Sequence, residues 1–287
     1  EKSFTSKGFL PPLDVLQEKL LAKQDLSAAQ GKKDLLASLG VQTFSTCLGK
    51  KQGSPGWWVW NDKVRRGVPG VLEVPVDGNQ TWSSKLHKVT LAKDSVGCEN
   101  GCAALVDTGT SLFAFPTPIY ERLSQLIGMS SGSCSDLRTF PDLHMNLGGQ
   151  QLTFPPSSYI GSFYGQMNKE VKKYIHLSKS STNSSSHGRS CELLVMDLGQ
   201  PQMTNLGSLV ILGMPTFREY YTTFHLGKTR ADRAMFMSKA DKNCGPGWPA
   251  EVVTENREST EDAAFIPRSV DASKLRVPQW VGSLQNL

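Results

Sequence analysis

Residues 103–107 read Ala-Ala-Leu-Val-Asp, and the next four are Thr108, Gly109, Thr110 and Ser111. An apolar run of strand character ends on a carboxylate, and hydroxyls and a glycine surround it. Two chemistries fit. The plainer is a turn, in which an Asp oxygen accepts a backbone N–H two residues on and closes a loop. The other is acid–base catalysis. A carboxylate that accepts hydroxyl and backbone donors is held in orientation, and its ionised form is favoured. Two such groups sharing one proton can activate a water on one side and protonate an amide on the other. Asp107 is the candidate for that work, and the chemistry then asks where its partner lies.

Other reactive residues point elsewhere less well. The five histidines, His87, His144, His176, His187 and His225, do not pair at metal-ligand spacing, so surface or packing roles are expected and no metal or organic cofactor is implied. Ser111 is not centred in the Gly-x-Ser-x-Gly pattern of a strained nucleophile turn, which leaves a Ser–His–Asp mechanism unsupported. None of the six cysteines falls in a Cys-x-x-Cys pair. Cys98 and Cys102 flank Asn100-Gly101 and could close a small loop. Asn79-Gln80-Thr81 and Asn183-Ser184-Ser185 are N-glycosylation sequons. With an even cysteine count they favour an oxidising, secretory-pathway compartment.

The elements that must position Asp107 read as mainly β. Strands are expected over 41–48, 57–60, 71–76, 85–91 and 103–106, then again over 206–212, 220–224 and 234–237. Helical spacing appears over 11–39, broken near Gly31, and over 118–127, where Ile119, Leu123 and Leu126 share one face. Residues 178–190 are Ser-rich and read as an exposed loop. After Asp241 periodic apolars thin out, and residues 241–287 read as a polar, mostly disordered tail with a local patch at 277–281. Trp57, Trp58 and Trp60 read most simply as sheet and core residues, with a contact patch as the alternative.

Length and composition are those of a globular protein: 287 residues, 38% apolar, 20% charged, net charge +5. Lys32-Lys33, Arg65-Arg66 and Lys172-Lys173 are scattered, and no basic stripe interleaves with aromatics, which argues against nucleic-acid binding. No apolar run approaches the ~20 residues of a membrane helix. The chain starts on Glu1, as a processed form or a piece of something longer would.

The ordered set of motifs resembles the C-terminal lobe of pepsin-like aspartic proteases. A short cysteine loop (98–102), an apolar strand, Asp-Thr-Gly-Thr-Ser and a proline-opened helix (116–127) follow one another as in that family. Thr81-Trp82, residues 140–143 and 152–155, the apolar-apolar-Gly element ending at Gly213, and the stretch 217–224 read as its further strands. The resemblance covers about residues 10–240. It implies a pepsin-like lobe fold, with residues 1–50 as the end of the first lobe and a crossover strand, 51–240 as the catalytic lobe, and 241–287 outside the family pattern. It also implies a catalytic Asp107, Thr108 and Gly109 shaping the loop, Thr110 bonding within it, Ser111 supporting the carboxylate, and Gly213 allowing close backbone passage. Cys134 and Cys191 resemble the lobe's long-range disulfide. That leaves Cys47 and Cys244, whose bridge is a further expectation.

The family's enzymes carry one Asp-Thr/Ser-Gly in each of two lobes and a flap on the first. No second triplet occurs here: Asp77-Gly78 and Asp197-Leu198-Gly199 do not fit. A lone ionised carboxylate cannot act as acid and base in one step. The resemblance therefore implies an aspartic endopeptidase acting on an extended polypeptide, of which this chain carries one Asp and lacks the N-terminal lobe. The alternatives are a half-enzyme that dimerises and an inactive peptide-binding module. The expected compartment is lysosome- or vacuole-like, or extracellular.

Overall fold

Alternation of buried and outward residues sets one side of the fold. In β8 (Leu143–Leu147) Leu143, Met145 and Leu147 are buried while His144 and Asn146 point outward. β9 (Gln150–Phe154) answers with Leu152 and Phe154 inside. This period of two is what a sheet with one solvated face requires. The computed structural model describes residues 36, 39–50, 54, 56–164, 189–241, 244 and 269–271. The helix expected over 11–39 lies outside them apart from Leu36 and the turn at 39–40, and the patch at 277–281 lies outside them altogether. The chain divides into two units between Gln42 and Thr43. In the first, the Leu39 and Val41 amides both donate to the Leu36 carbonyl.

The second unit is mainly β. A five-stranded antiparallel sheet runs β2 (Trp57–Trp60), β1 (Thr43–Cys47), β15 (Tyr220–His225), β16 (Ala234–Lys239), β3 (Val71–Pro75). A nine-stranded sheet runs β12 (Val195–Asp197), β7 (Phe113–Phe115), β14 (Gly207–Leu212), β6 (Cys102–Val106), β4 (Ser83–Leu91), β8, β9. Its branches are β5 (Asp94–Gly97) on β4 and β13 (Met203–Thr204) on β14. A third sheet runs β11 (Arg189–Leu193), β10 (Ile160–Tyr164), β17 (Ser269–Asp271). Helix α1 (Thr117–Met129) buries Ile119, Leu123 and Leu126, the face its spacing predicts.

Four readings change. Residues 217–219 are not strand: α2 (Met214–Glu219) occupies that stretch, because Gly213 precedes it and Pro215 sits in its first turn, where a missing N–H costs nothing. Arg189 and Ser190 belong to β11, not to the Ser-rich loop. Within the expected tail, residues 269–271 form a strand. Trp57, Trp58 and Trp60 are 54%, 46% and 52% exposed, so they are not core residues. Among the described residues their strand is at a sheet edge. Trp58 stacks on Phe44 at 5.2 Å, and Trp58 and Trp60 meet edge to face at 5.3 Å.

The five-stranded sheet buries a row of hydroxyls, among them Ser45 and Thr223, beside its apolar residues, and one carboxylate gathers bonds at its side. Asp62 accepts bonds from Ser45 Oγ at 2.6 Å, Tyr221 Oη at 2.8 Å and both terminal nitrogens of Arg65 at 2.6 and 3.1 Å. Burial alone would push this carboxyl up. The bonds from Arg65, Ser45, Tyr221 and the Lys63 amide outweigh it and hold the group below the ordinary carboxylate range. A depressed folded value means stability present at neutral pH and lost as pH falls through that value, below about 4. Asp62→Asn is expected to cost about 2 kcal/mol at neutral pH. The gap from wild type should close in strong acid, as urea melts across pH would read.

Candidate active site

Asp107 stands where β6 stops. β14 lies between β6 and β7, parallel to the first and antiparallel to the second. The chain must therefore climb off β6, cross over the end of β14 and descend into β7. Residues 107–112 make that crossing. The Val106 amide bonds the Trp82 carbonyl at 2.9 Å, and the Asp107 amide bonds Leu212 at 3.1 Å, so the ladder is complete up to the carboxylate. Beneath it Ala104, Phe113, Ala114, Phe115, Val210 and Leu212 are all without exposed surface. That apolar floor gives the loop a rigid base.

The loop itself is an Asx turn with an added hydroxyl. Gly109 N donates to Asp107 Oδ1 at 2.9 Å, and Thr110 Oγ1 donates to Asp107 Oδ2 at 2.6 Å. Each carboxylate oxygen has its own donor, which fixes the plane of the group. Asp107 and Thr108 are half-buried, Thr110 is buried, and Gly109 and Ser111 are exposed. The loop is locked to the next element from below: Met214 N donates to the Thr110 carbonyl at 2.8 Å. A Cβ at Gly213 would lie 2.2 Å from the Leu112 oxygen and 2.3 Å from the Thr110 oxygen, closer than real contacts allow. Only glycine lets the two backbones pass.

Sequence reasoning placed the supporting hydroxyl one residue too far along. Thr110, not Ser111, holds the carboxylate; the turn brings the side chain three residues on over Asp107 and sends the next one outward. Thr110→Val, which keeps the shape, is expected to cost about 2 kcal/mol in a denaturant melt, as for a hydrogen bond to a charged group. Ser111→Ala should stay within about 0.5 kcal/mol of wild type.

The other two aspartates followed by glycine take the plain turn role. Asp197 Oδ1 accepts from Thr117 Oγ1 at 2.7 Å and from Gly199 N at 2.9 Å. Asp77 Oδ2 accepts from Lys85 N at 3.0 Å. Asp197 shares the bond from a glycine N–H two residues on, but its hydroxyl donor reaches the same oxygen, Oδ1, and comes from a distant threonine, whereas Asp107 has a donor from its own loop on each oxygen. Among the described residues no three His, Cys, Asp or Glu side chains come together as a metal would need. His87 is exposed, and His144 and His225 are partly buried; His176, His187 and Asn183 lie outside the described residues. Asn79 is exposed, with its carbonyl bonded by Arg233 at 2.9 Å.

The cysteines close three bridges: Cys98–Cys102, Cys134–Cys191 and Cys47–Cys244. The first sits at the foot of β6, at the opposite end of that strand from Asp107.

Residues 38–235, which include the whole Asp107 loop and Gly213, match the profile of the eukaryotic aspartyl protease family. The chain belongs to that family. It is similar to pepsin A of Gallus gallus, 29% identical over 227 residues that cover 77% of this chain and 50% of that protein. Pepsin A of Bos taurus is 28% identical over 236 residues, 79% of this chain and 52% of the other. Over 94 residues, 30% of this chain and 24% of the other, pepsin A of Canis lupus familiaris is 37% identical. The chain spans about half the length of the first two of these curated relatives. In this aspartyl protease family member, residues after 235, which include Cys244 and β17, lie beyond the match.

Proposed function

We propose that this chain is the C-terminal catalytic lobe of an aspartic endopeptidase, with Asp107 as one of two carboxylates that activate a water and hydrolyse an internal peptide bond. The observation that carries the reading is the doubly held carboxylate at the solvent-facing end of β6, on a loop shared with Gly213. Its donors orient Asp107 and leave it reachable from solvent. In the proposed mechanism the partner carboxylate comes from a first lobe, whose end is residues 1–50. One carboxyl of the pair, protonated, would donate to the substrate carbonyl while the ionised one takes a proton from water. The polypeptide would lie extended between the lobes, with no cofactor. Residues 51–240 are the lobe proper, and 241–287 are an appendage to it. Destination to a secreted or lysosome-like compartment, with glycans on Asn79 and Asn183, fits the three disulfides and the exposed Asn79.

The test is to assay the chain alone, and joined to a first lobe encoded upstream of Glu1, against an unfolded protein substrate from acidic to neutral pH. Cleavage by the joined protein only is the expected result. Cleavage by the chain alone that rises with dimer concentration would replace this reading with a half-enzyme pairing two copies of Asp107. Peptide binding without turnover in the joined protein would replace it with a binding module.

A further inference from the structure

Three neighbouring strands of the nine-stranded sheet carry two polar rows on its solvated face. In the first, His87 of β4 lies opposite Asn146 of β8, which lies opposite Gln151 of β9. In the second, Thr90, His144 and Thr153 stand in the same relation. β4 has one residue too many for this pairing. Its register on β8 shifts between His87 and Val89, and the extra residue is Lys88, at φ +55°. A bulge bends its strand and re-aims a side chain, and a lysine keeps a positive φ only where its surroundings hold it there. The Lys88 amide turns from β8 to the Cys98 carbonyl, 3.0 Å away. Over the two rows lies a cavity of about 500 Å³, whose polar lining is His87, Lys88, Thr90, His144, Asn146 and Gln151. Small-molecule sites have volumes of this order.

The chemistry of that lining is one-sided. Among the described residues it holds an ammonium, two imidazoles, two amides and a hydroxyl, with no carboxylate and no aromatic platform. Glu99 is within reach of the Lys88 charge, but its carboxylate accepts the Ser95 hydroxyl and lies outside the lining. His144 is fixed in place: its Nδ1 bonds Thr153 Oγ1 at 3.0 Å, which leaves Nε2 to a ligand. Asn146 Oδ1 is buried without a donor. A buried acceptor in that state is costly, and a turn of the amide about its last torsion presents it to a ligand hydroxyl.

We propose that this cavity binds an oxyanion, a phosphate or sulfate ester carried on a small polyhydroxylated frame. Lys88, His87 and His144 Nε2 take the ester oxygens through charge-assisted bonds. Asn146 and Gln151 take hydroxyls of the frame. The charged group, not stacking on a ring, holds the ligand. The site uses none of the Asp107 loop, so it stands apart from the catalytic reading.

Calorimetric titration of the full chain with glucose 6-phosphate and with glucose 6-sulfate, against glucose at constant ionic strength, tests this. One ester or the other should bind in the ~mM range or tighter, and about ten-fold or more tighter than glucose. The tighter of the two identifies the oxyanion. Imidazole proton resonances of His87 and His144 should move on titration, and those of His225 should not. Lys88→Asn removes the charge and leaves a residue that tolerates the positive φ. It should weaken ester binding about ten-fold, and His87→Gln should do so by a similar factor. Lys228→Asn, at an exposed position outside the cavity, should change nothing. Unchanged amide resonances in β6 and β14 report the intact fold of each variant. The proposal is overturned if the folded wild-type chain binds neither ester, if glucose binds as tightly as its esters, or if K88N and H87Q leave ester binding unchanged.

Discussion

Asp107→Asn is expected to lower kcat/KM for peptide cleavage by the two-lobed protein about 10⁴-fold while leaving it folded. Asn has nearly the shape of Asp, and its oxygen can still accept from Gly109 N, now 2.9 Å from Asp107 Oδ1. Its NH₂ would then face the Thr110 hydroxyl, now a donor at 2.6 Å. That hydroxyl can rotate to accept, so the local cost should be about 1–2 kcal/mol, and the melt should shift little. What cannot be recovered is the negative charge and the site for a proton. The proposed mechanism needs a base and an acid sharing one proton, and an amide is neither at any working pH. Steady-state cleavage of a peptide by the folded variant is the measurement. Activity within ten-fold of wild type would remove Asp107 from the chemistry.

The second large effect is structural. Gly213→Ala is expected to destabilise the lobe by about 3 kcal/mol or more and to take activity with it. The added methyl would lie 2.2 and 2.3 Å from two backbone oxygens, those of Leu112 and Thr110. Neither is the tip of a flexible side chain. Relief requires the crossing loop and the end of β14 to part by about 1 Å. Such a shift breaks the bond from Met214 N to the Thr110 carbonyl and moves Thr110 off the carboxylate. Gly109→Ala is the contrast: its Cβ would meet Asp107 Oδ1 at 3.2 Å on an exposed turn, a contact that small adjustments relieve. A denaturant melt of the two variants should separate them clearly.

Much of this was legible in advance, and the reasons are physical. The strand into Asp107 and the helix α1 carry strong periodic signals, and a turn-forming Asp with Gly two residues on announces its own geometry. Ile119, Leu123 and Leu126 face inward as their spacing requires. What could not be read was anything decided between distant segments. That β14 lies between β6 and β7 depends on backbone bonds between residues about one hundred apart. Which of Thr110 and Ser111 reaches the carboxylate depends on how far the loop twists after Gly109. Short apolar runs were ambiguous too: Phe217 is buried in α2 as it would be in a strand, and only Gly213 and Pro215 mark the helix. The tryptophans of β2 misled because burial belongs to a strand's place in its sheet, and an edge is not written in composition. The Asp62 network was invisible for a related reason: Arg65 is three residues on, but Ser45 and Tyr221 meet it from separate stretches.

The Cys47–Cys244 bridge spans 197 positions of sequence. It makes a covalent ring of most of the lobe, with Asp107 and Gly213 both on the ring. Exposed connecting segments are where proteolytic cuts fall. One cut anywhere on the ring opens it without releasing a piece: the two new ends stay on one molecule, and the sheet in which β1 and β15 pair keeps both strands. Without that bond, a cut between Cys47 and Cys244 would divide the chain unless it fell inside the loops closed by Cys98–Cys102 or Cys134–Cys191.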